Sequence, residues 1–560
     1  MPGGELRRRA FLGYCGALGL GQTLFPGALW AQADGGAAEI TSDMIDSAAR
    51  LAGLRFSAAD RDEMVAGINA NLASYEALRE IRIDQHVPPP LYFNPAVPGQ
   101  TFDTRELPFA RGPRARVTRP ANLEEVAFWP VTDLAQLIES RAVSATELTR
   151  MYIARIRRYD PILHSVITLT EDLALEQAAK ADEEIAAGEY RGPLHGIPWG
   201  AKDVIAKRGY KTTWGSFAYQ DQVVDIDATV TARLEEAGAV LVAKLSTGEI
   251  ARGDRWFGGQ TRNPWNVEQG SGGSSAGSGA ATAAGLVGFA LGSDTTGSIL
   301  GPARNCGITG LRPSFGRVSR HGVMPVCWSL DKVGPMCRSV EDCALVFEAI
   351  RGPDLQDLAV VDMPFNWDGG RPIDDLRVGY LEQSFAESED PRDAEVLAAL
   401  RSMGVDPKPI ALPEHAEMDA LQMLLVDEAA AFDELIQTGR VDMLIQDREE
   451  PEDMLMRVVR LLPAVEYLQI QRRRMLVMQG MERALRDIDV YLAPQGDDVN
   501  RRATSLTGHP AVSVPSGFDE DGMPASILFV GKLYGEADLL ALAKAYQDAN
   551  DFHTRHPALN

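Results

Sequence analysis

Three short segments hold the residue types needed to attack an acyl group. The first, Gly196-Ile197-Pro198-Trp199-Gly200-Ala201-Lys202-Asp203, is an apolar run that reaches a lysine. The second is Gly270-Ser271-Gly272-Gly273-Ser274-Ser275-Ala276-Gly277-Ser278; the third is Gly292-Ser293-Asp294-Thr295-Thr296-Gly297-Ser298-Ile299. Lys202 stands 72 residues before Ser274, and Ser298 stands 24 residues after it. An amide is a stable electrophile with a poor leaving group. Its hydrolysis needs an activated nucleophile, a site for the oxyanion and a proton for the departing nitrogen. Lysine serves as a base only when uncharged, and with a free pKa of about 10.4 roughly one in a thousand is uncharged near pH 7.5. Were Lys202 to act as a base, it would have to be shielded from water strongly enough to lower its pKa by about 2–3. The apolar neighbours Ile197, Pro198, Trp199 and Val204 suit that requirement, and Asp203 is expected to face away.

The order and spacing of these segments resemble the amidase signature family of serine hydrolases, in which a lysine and two serines cleave amides without a histidine. The resemblance implies that Ser298 is the nucleophile of an acyl-enzyme that water clears. It makes Ser274 the bridging serine, following a cis peptide after Gly273. Lys202 becomes the general base, taking a proton through Ser274 and returning it to the amine. The turn Thr295, Thr296, Gly297 and Ser298 is expected to form an oxyanion hole from backbone N–H groups, supported by Gly272, Gly273, Ser275 and Asp294. Gly248, Glu249 and Ile250 are expected to line the substrate pocket. Two positions depart from the family pattern: Thr296 stands where glycine is commoner, and Leu300 where a polar or basic residue often follows Ser-Ile. Both put the usual substrate preference in doubt. The expected reaction is hydrolysis of a C–N bond in a small linear amide. Aryl esters, anilides and carbamates fall in the same range because acyl-enzyme chemistry tolerates several leaving groups.

Other readings compete. Gly273-Ser274-Ser275-Ala276-Gly277 also satisfies G-x-S-x-G, the elbow of Ser-His-Asp esterases, with His321 and His509 downstream. Such an elbow must follow an apolar strand, and Asn263 to Gly270 does not read as one. A glutamine-hydrolysing subunit of a tRNA-dependent amidotransferase shares the three motifs. A non-catalytic binding protein on the same fold is a further alternative, opposed by intact Lys202, Ser274 and Ser298.

The elements that must position these groups can be read along the chain. Residues 34 to about 86 read as two amphipathic helices, with Ser57 as an N-cap. Val87 to Pro120 is proline-rich and should run extended as a wrapping arm. Ser144 with Glu147 forms a capping box for a helix to about Arg158. A strand over His164–Thr170, a helix over Glu171–Ala187 and a strand reaching Lys202 follow. Asp227–Ala237, Gly238 and Ala239–Ala243 read as helix, C-cap and buried strand. Ala280 to Gly288 looks like a buried helix of small residues, and Gly535 to Asp548 like a closing amphipathic helix. This alternation predicts an α/β fold: a large mixed sheet covered by helices, with an N-terminal helical cap. The expected division is 1–33, 34–127 for helices and arm, and 128–560 for the catalytic domain, with a helical insert at about 390–486.

Residues 1–33 read as a twin-arginine signal: Arg8-Arg9-Ala10-Phe11-Leu12, a short Gly-rich apolar run, and Ala31-Gln32-Ala33 before Asp34. The apolar run is too short for a membrane span of about 20 residues, so a periplasmic or secreted enzyme is expected. The net charge of −24 would repel phosphate backbones, which excludes nucleic acid as a natural partner. Cys15 lies in the signal; Cys306, Cys327, Cys337 and Cys343 lack C-x-x-C spacing and are expected as mostly buried free thiols, with Cys337 and Cys343 able to pair. No metal or cofactor is expected. The partner is a small-molecule substrate, and the chain a monomer or homodimer.

Overall fold

In the computed structural model, residues 40–79, 91–418, 421–445 and 452–559 are described. The twin-arginine segment, Cys15 and the first prolines of the arm lie outside them. The chain divides into two units, residues 1–84 with 461–463, and residues 85–460 with 464–560.

The first unit contains the helices Ser42–Leu51 and Ala58–Arg79. Thr41 caps the former by accepting from the Met44 amide, and Ser57 Oγ accepts from the Asp60 amide at the start of the latter. Asn69 closes the pair: its carboxamide accepts from the Ile40 N–H at 2.8 Å and donates to the Ile40 carbonyl at 3.1 Å.

The second unit carries the sheet. Its chain enters as an extended stretch: Ala110 exchanges backbone bonds with Trp367 and Gly369, and the Gly112 amide donates to Glu341. Ser144 and Glu147 form both bonds of a capping box, and the helix they open runs over Ala145–Leu163, a turn longer than expected. Strand β1 (Val166–Leu169), helix Glu171–Ala186, β2 (Pro198–Lys202), helix Thr229–Glu236 and β3 (Val240–Leu245) follow. Two short hairpins come next, β4 (Arg255–Trp256) with β5 (Gly259–Gln260), and β6 (Arg262–Asn263) with β7 (Asn266–Gly270). The second hairpin corrects the expectation that the residues before Ser274 form no strand. It is polar, half exposed and outside the main sheet, so it is not the apolar central strand an elbow requires.

The main sheet continues through β8 (Phe289–Asp294), β9 (Thr309–Arg312), β10 (Lys332–Cys337), β11 (Val378–Leu381), β12 (Lys408–Ile410), β13 (Val490–Pro494), β14 (Ala511–Phe518) and β15 (Pro524–Gly531). Its eleven strands run in the order β1-β3-β2-β8-β10-β9-β14-β15-β13-β11-β12. Pairing is mixed: β2 is parallel to β3 and β8, whereas β8 and β10 are antiparallel. β2, β3 and β10 are buried along their whole length, as expected for strands covered on both faces.

Two further elements bear on the site. The helix Ala276–Ala283 is built of Ala, Gly, Ser and Thr and is buried at every residue. The segment 390–486 is not wholly helical, because β12 adds an edge strand parallel to β11. Its long helix, Ala464–Ala484, buries Val477 and Met481 in a cluster with Leu381, Tyr491, Leu528 and Val530 of the sheet.

Candidate active site

β2 and β8 lie side by side and parallel within the sheet, so Lys202 and Asp294 both stand at the carboxyl ends of their strands. β10 runs the other way and its first residue, Lys332, pairs with Asp294. Crevices outside the carboxyl ends of parallel strands are where α/β sheets bind ligands.

Lys202 is wholly buried and donates to Ser274 Oγ at 2.8 Å and to Ser293 Oγ at 2.9 Å. Loss of hydration pushes its pKa down to about 7, while the charges of Asp294 and Asp331 oppose that fall. Asp203, next in sequence, turns elsewhere: it pairs with Lys244 at 2.6 Å and accepts from the Thr213 amide and hydroxyl.

Ser274 is buried, and the Gly273–Ser274 peptide is cis. Only glycine fits at 273, because a Cβ there would sit 1.8 Å from the Gly253 carbonyl oxygen. Ser275 ties the two serine segments together. Its amide donates to the Ser298 carbonyl at 3.1 Å, and its hydroxyl donates to the Ser293 carbonyl at 3.1 Å. Gly272 donates to Asp254 at 3.2 Å.

Ser298 is half-buried, and its hydroxyl makes no hydrogen bond among the described residues. The turn before it is shaped by Asp294, whose carboxylate accepts from the Gly297 and Ile299 amides, both at 2.8 Å. This corrects one expectation: the Gly297 N–H is committed to Asp294. Among the described residues, the amides of Thr295, Thr296 and Ser298 have no protein acceptor. Gly297 holds φ of +127°, a conformation that glycine adopts at no steric cost.

Three neighbours of the turn were not singled out in the sequence. Asp331 accepts from the Thr295 hydroxyl at 2.7 Å. Lys332 donates to the Thr295 carbonyl at 3.3 Å, and Arg501 to the Thr296 carbonyl at 2.5 Å. Ser293, the second partner of Lys202, stands in the Gly292–Ile299 segment, where its residue type alone does not distinguish it from the other hydroxyls.

Of the expected pocket residues, Gly248 donates to the Ser274 carbonyl at 3.2 Å. The buried Glu249 carboxylate accepts from the Ile445 amide at 2.6 Å, and Ile250 is fully buried. His509 is bonded to Thr507, and burial holds its pKa down to about 3. Neither it nor His321 hydrogen-bonds to Ser274 or Ser298. Cys306, Cys327, Cys337 and Cys343 are free and buried. Among the described residues no three His, Cys, Asp or Glu side chains come together as metal ligands, and no helix is long and apolar enough to cross a membrane.

Residues 147–540 match the family model described as Amidase. The chain is 36% identical over 478 residues to a glutamyl-tRNA(Gln) amidotransferase subunit of Methylococcus capsulatus, spanning 76% of this chain and 98% of that one. The native peptide amidase of Stenotrophomonas maltophilia superposes with a TM-score of 0.69 at 32% identity, covering 76% of this chain and 97% of its own. An amidase family protein of Bacillus anthracis gives a TM-score of 0.70 at 27% identity, covering 78% and 93%.

Proposed function

We propose that this chain, which belongs to the amidase family, hydrolyses the C–N bond of a small linear amide through an acyl-enzyme on Ser298. The observation that carries the reading is the buried Lys202 ammonium site bonded to Ser274 Oγ at 2.8 Å.

Uncharged Lys202 draws the proton from Ser274 as Ser274 takes the proton of Ser298. The Ser298 oxygen then adds to the carbonyl carbon. For this the Ser298 hydroxyl rotates toward Ser274, a movement its unbonded state leaves open. The negative charge on the carbonyl oxygen meets the amides of Thr296 and Ser298, each such donor contributing about 3–4 kcal/mol to the transition state. Lys202 returns its proton through Ser274 to the nitrogen, the C–N bond breaks and the amine leaves. Water, deprotonated by the same relay, clears the acyl group.

We extend the proposal to aryl esters, anilides and carbamates, and to export by the twin-arginine segment as a periplasmic or secreted enzyme. A panel of primary amide, p-nitroanilide, aryl ester and carbamate substrates, run beside Ser298→Ala, tests it. Inertness towards the whole panel would overturn the hydrolase reading.

A second reading is favoured by the name of the Methylococcus relative: a component that hydrolyses glutamine for a tRNA-dependent amidotransferase. The proposed export and the charge of −24 weigh against it. Glutaminase activity far above activity on the panel would favour it.

A further inference from the structure

Two basic side chains stand behind the turn that precedes Ser298, each on a different peptide unit. Lys332, at the start of β10, donates to the Thr295 carbonyl at 3.3 Å. Arg501, on the helix Asp498–Thr507, donates to the Thr296 carbonyl at 2.5 Å. In a planar trans peptide the C=O and the following N–H point in opposite directions. A donor that holds the Thr295 carbonyl therefore turns the Thr296 N–H the other way. The same logic applied to Arg501 turns the Gly297 N–H, which is already bonded to Asp294. The two donors thus differ in what they can do for the reaction: one controls an amide without a protein acceptor among the described residues, the other an amide committed to the fold.

We infer that Lys332 is a positioning residue for the proposed reaction, orienting the Thr295–Thr296 peptide and polarising its N–H toward the carbonyl oxygen of the substrate. The inference rests on the reading of Ser298 as the nucleophile. A hydrogen bond accepted by a carbonyl strengthens the donor at the far end of the same peptide, and a charged donor does so more than a neutral one. Lys332 is 3% exposed, so water does not compete for the Thr295 carbonyl from that side. Burial pushes its pKa down to about 7, helped by Arg312 on β9 and Arg474 on the helix Ala464–Ala484, while Asp294 on β8 and Asp331 beside it oppose that fall. Either form carries hydrogens to donate, so the orientation persists while the charged form adds polarisation. The Thr295 hydroxyl bond to Asp331 steadies the same residue from its side chain. Together these contacts give a turn containing Thr296 the preorganisation that a more flexible residue would leave to chance.

The test uses the full chain and the best substrate of the panel. Lys332→Met is expected to lower kcat/KM by about 10- to 100-fold, chiefly in kcat, the range for loss of one hydrogen bond to a charged group. It should weaken a trifluoromethyl ketone with the same acyl group, which forms a tetrahedral adduct, by a similar factor. Inhibition by the acid product should change by less than about threefold, because that ligand presents no tetrahedral oxyanion. Lys332→Gln, a neutral donor of shorter reach, should recover part of the loss; it also serves if the methionine variant fails to fold. Arg501→Gln should lose less than Lys332→Met. Parent-like kcat/KM in both Lys332 variants, or equal weakening of ketone and acid, would overturn the inference. Ser298→Ala in the same assay separates the two claims: an active Ser298→Ala removes the nucleophile reading, whereas an inactive one beside unaffected Lys332 variants removes only the role of Lys332.

Discussion

Lys202 Nζ lies 2.8 Å from Ser274 Oγ with both side chains shut away from water. An ammonium in that place has lost its hydration, and two hydroxyls replace only part of it. The pair is therefore suited to a lysine that gives up its proton near neutrality, where an exposed lysine would keep it.

Ser298→Ala is expected to lower turnover by several orders of magnitude, since it removes the hydroxyl assigned to the acyl-enzyme. Ser275→Ala should lose less, because Ser275 holds the Ser293 and Ser298 segments in place rather than attacking. Initial rates on the panel measure both. Equal losses would contradict the division of roles.

The acidic limb of the kcat/KM profile should belong to Lys202. A base must be uncharged, so activity is low below its pKa and rises as pH passes about 7. Lys202→Ala should lose that rise along with most of its activity. A variant whose residual activity still climbed through the same pH range would exclude Lys202 as the base.

Ser293→Ala removes the second acceptor of the Lys202 ammonium, at 2.9 Å, and leaves Ser274 untouched. Loss of a partner to the charged form lowers the lysine pKa further. The acidic limb should accordingly move to lower pH, and a shift to higher pH would contradict the assigned contact.

Gly273→Ala should fail structurally as well as catalytically. Its Cβ would lie 1.8 Å from the Gly253 oxygen, a backbone atom that cannot swing aside. A melting temperature several degrees below the parent, with activity lost, is expected; a parent-like melting curve would show that the loop has more room.

Local signals in the sequence carried much of the fold. The capping box of Ser144 and Glu147 and the apolar strand to Lys202 depend on neighbours in the chain, and both are present; the small-residue helix expected over Ala280–Gly288 lies four residues earlier, over Ala276–Ala283. β12 was missed because Lys408–Ile410 is three residues long with a proline at its centre, and only β11 makes it a strand. The three chemical segments were legible because each keeps its groups within a few residues. Lys332 and Arg501 were not. The first reaches the turn through the register of β10 on β8, and the second through a helix some two hundred residues further on. Commitment of the Gly297 amide to Asp294 depends on how a six-residue turn closes, which the order of residue types leaves undetermined.

The most direct measurement is the titration of Lys202 itself. Protein with 13Cε-labelled lysine in the Ser298→Ala background should show a resonance that is absent from Lys202→Met and whose chemical shift moves with a midpoint near pH 7; Lys332, also pushed down to about 7 by burial, gives a second such resonance that persists in Lys202→Met. Because the folded value lies below the unfolded one, the burden of burying the charge should ease as pH rises from about 7 toward about 10.4, making the parent more stable relative to Lys202→Met over that range. A midpoint above pH 9 would mean a charged lysine throughout the working range and would contradict the account.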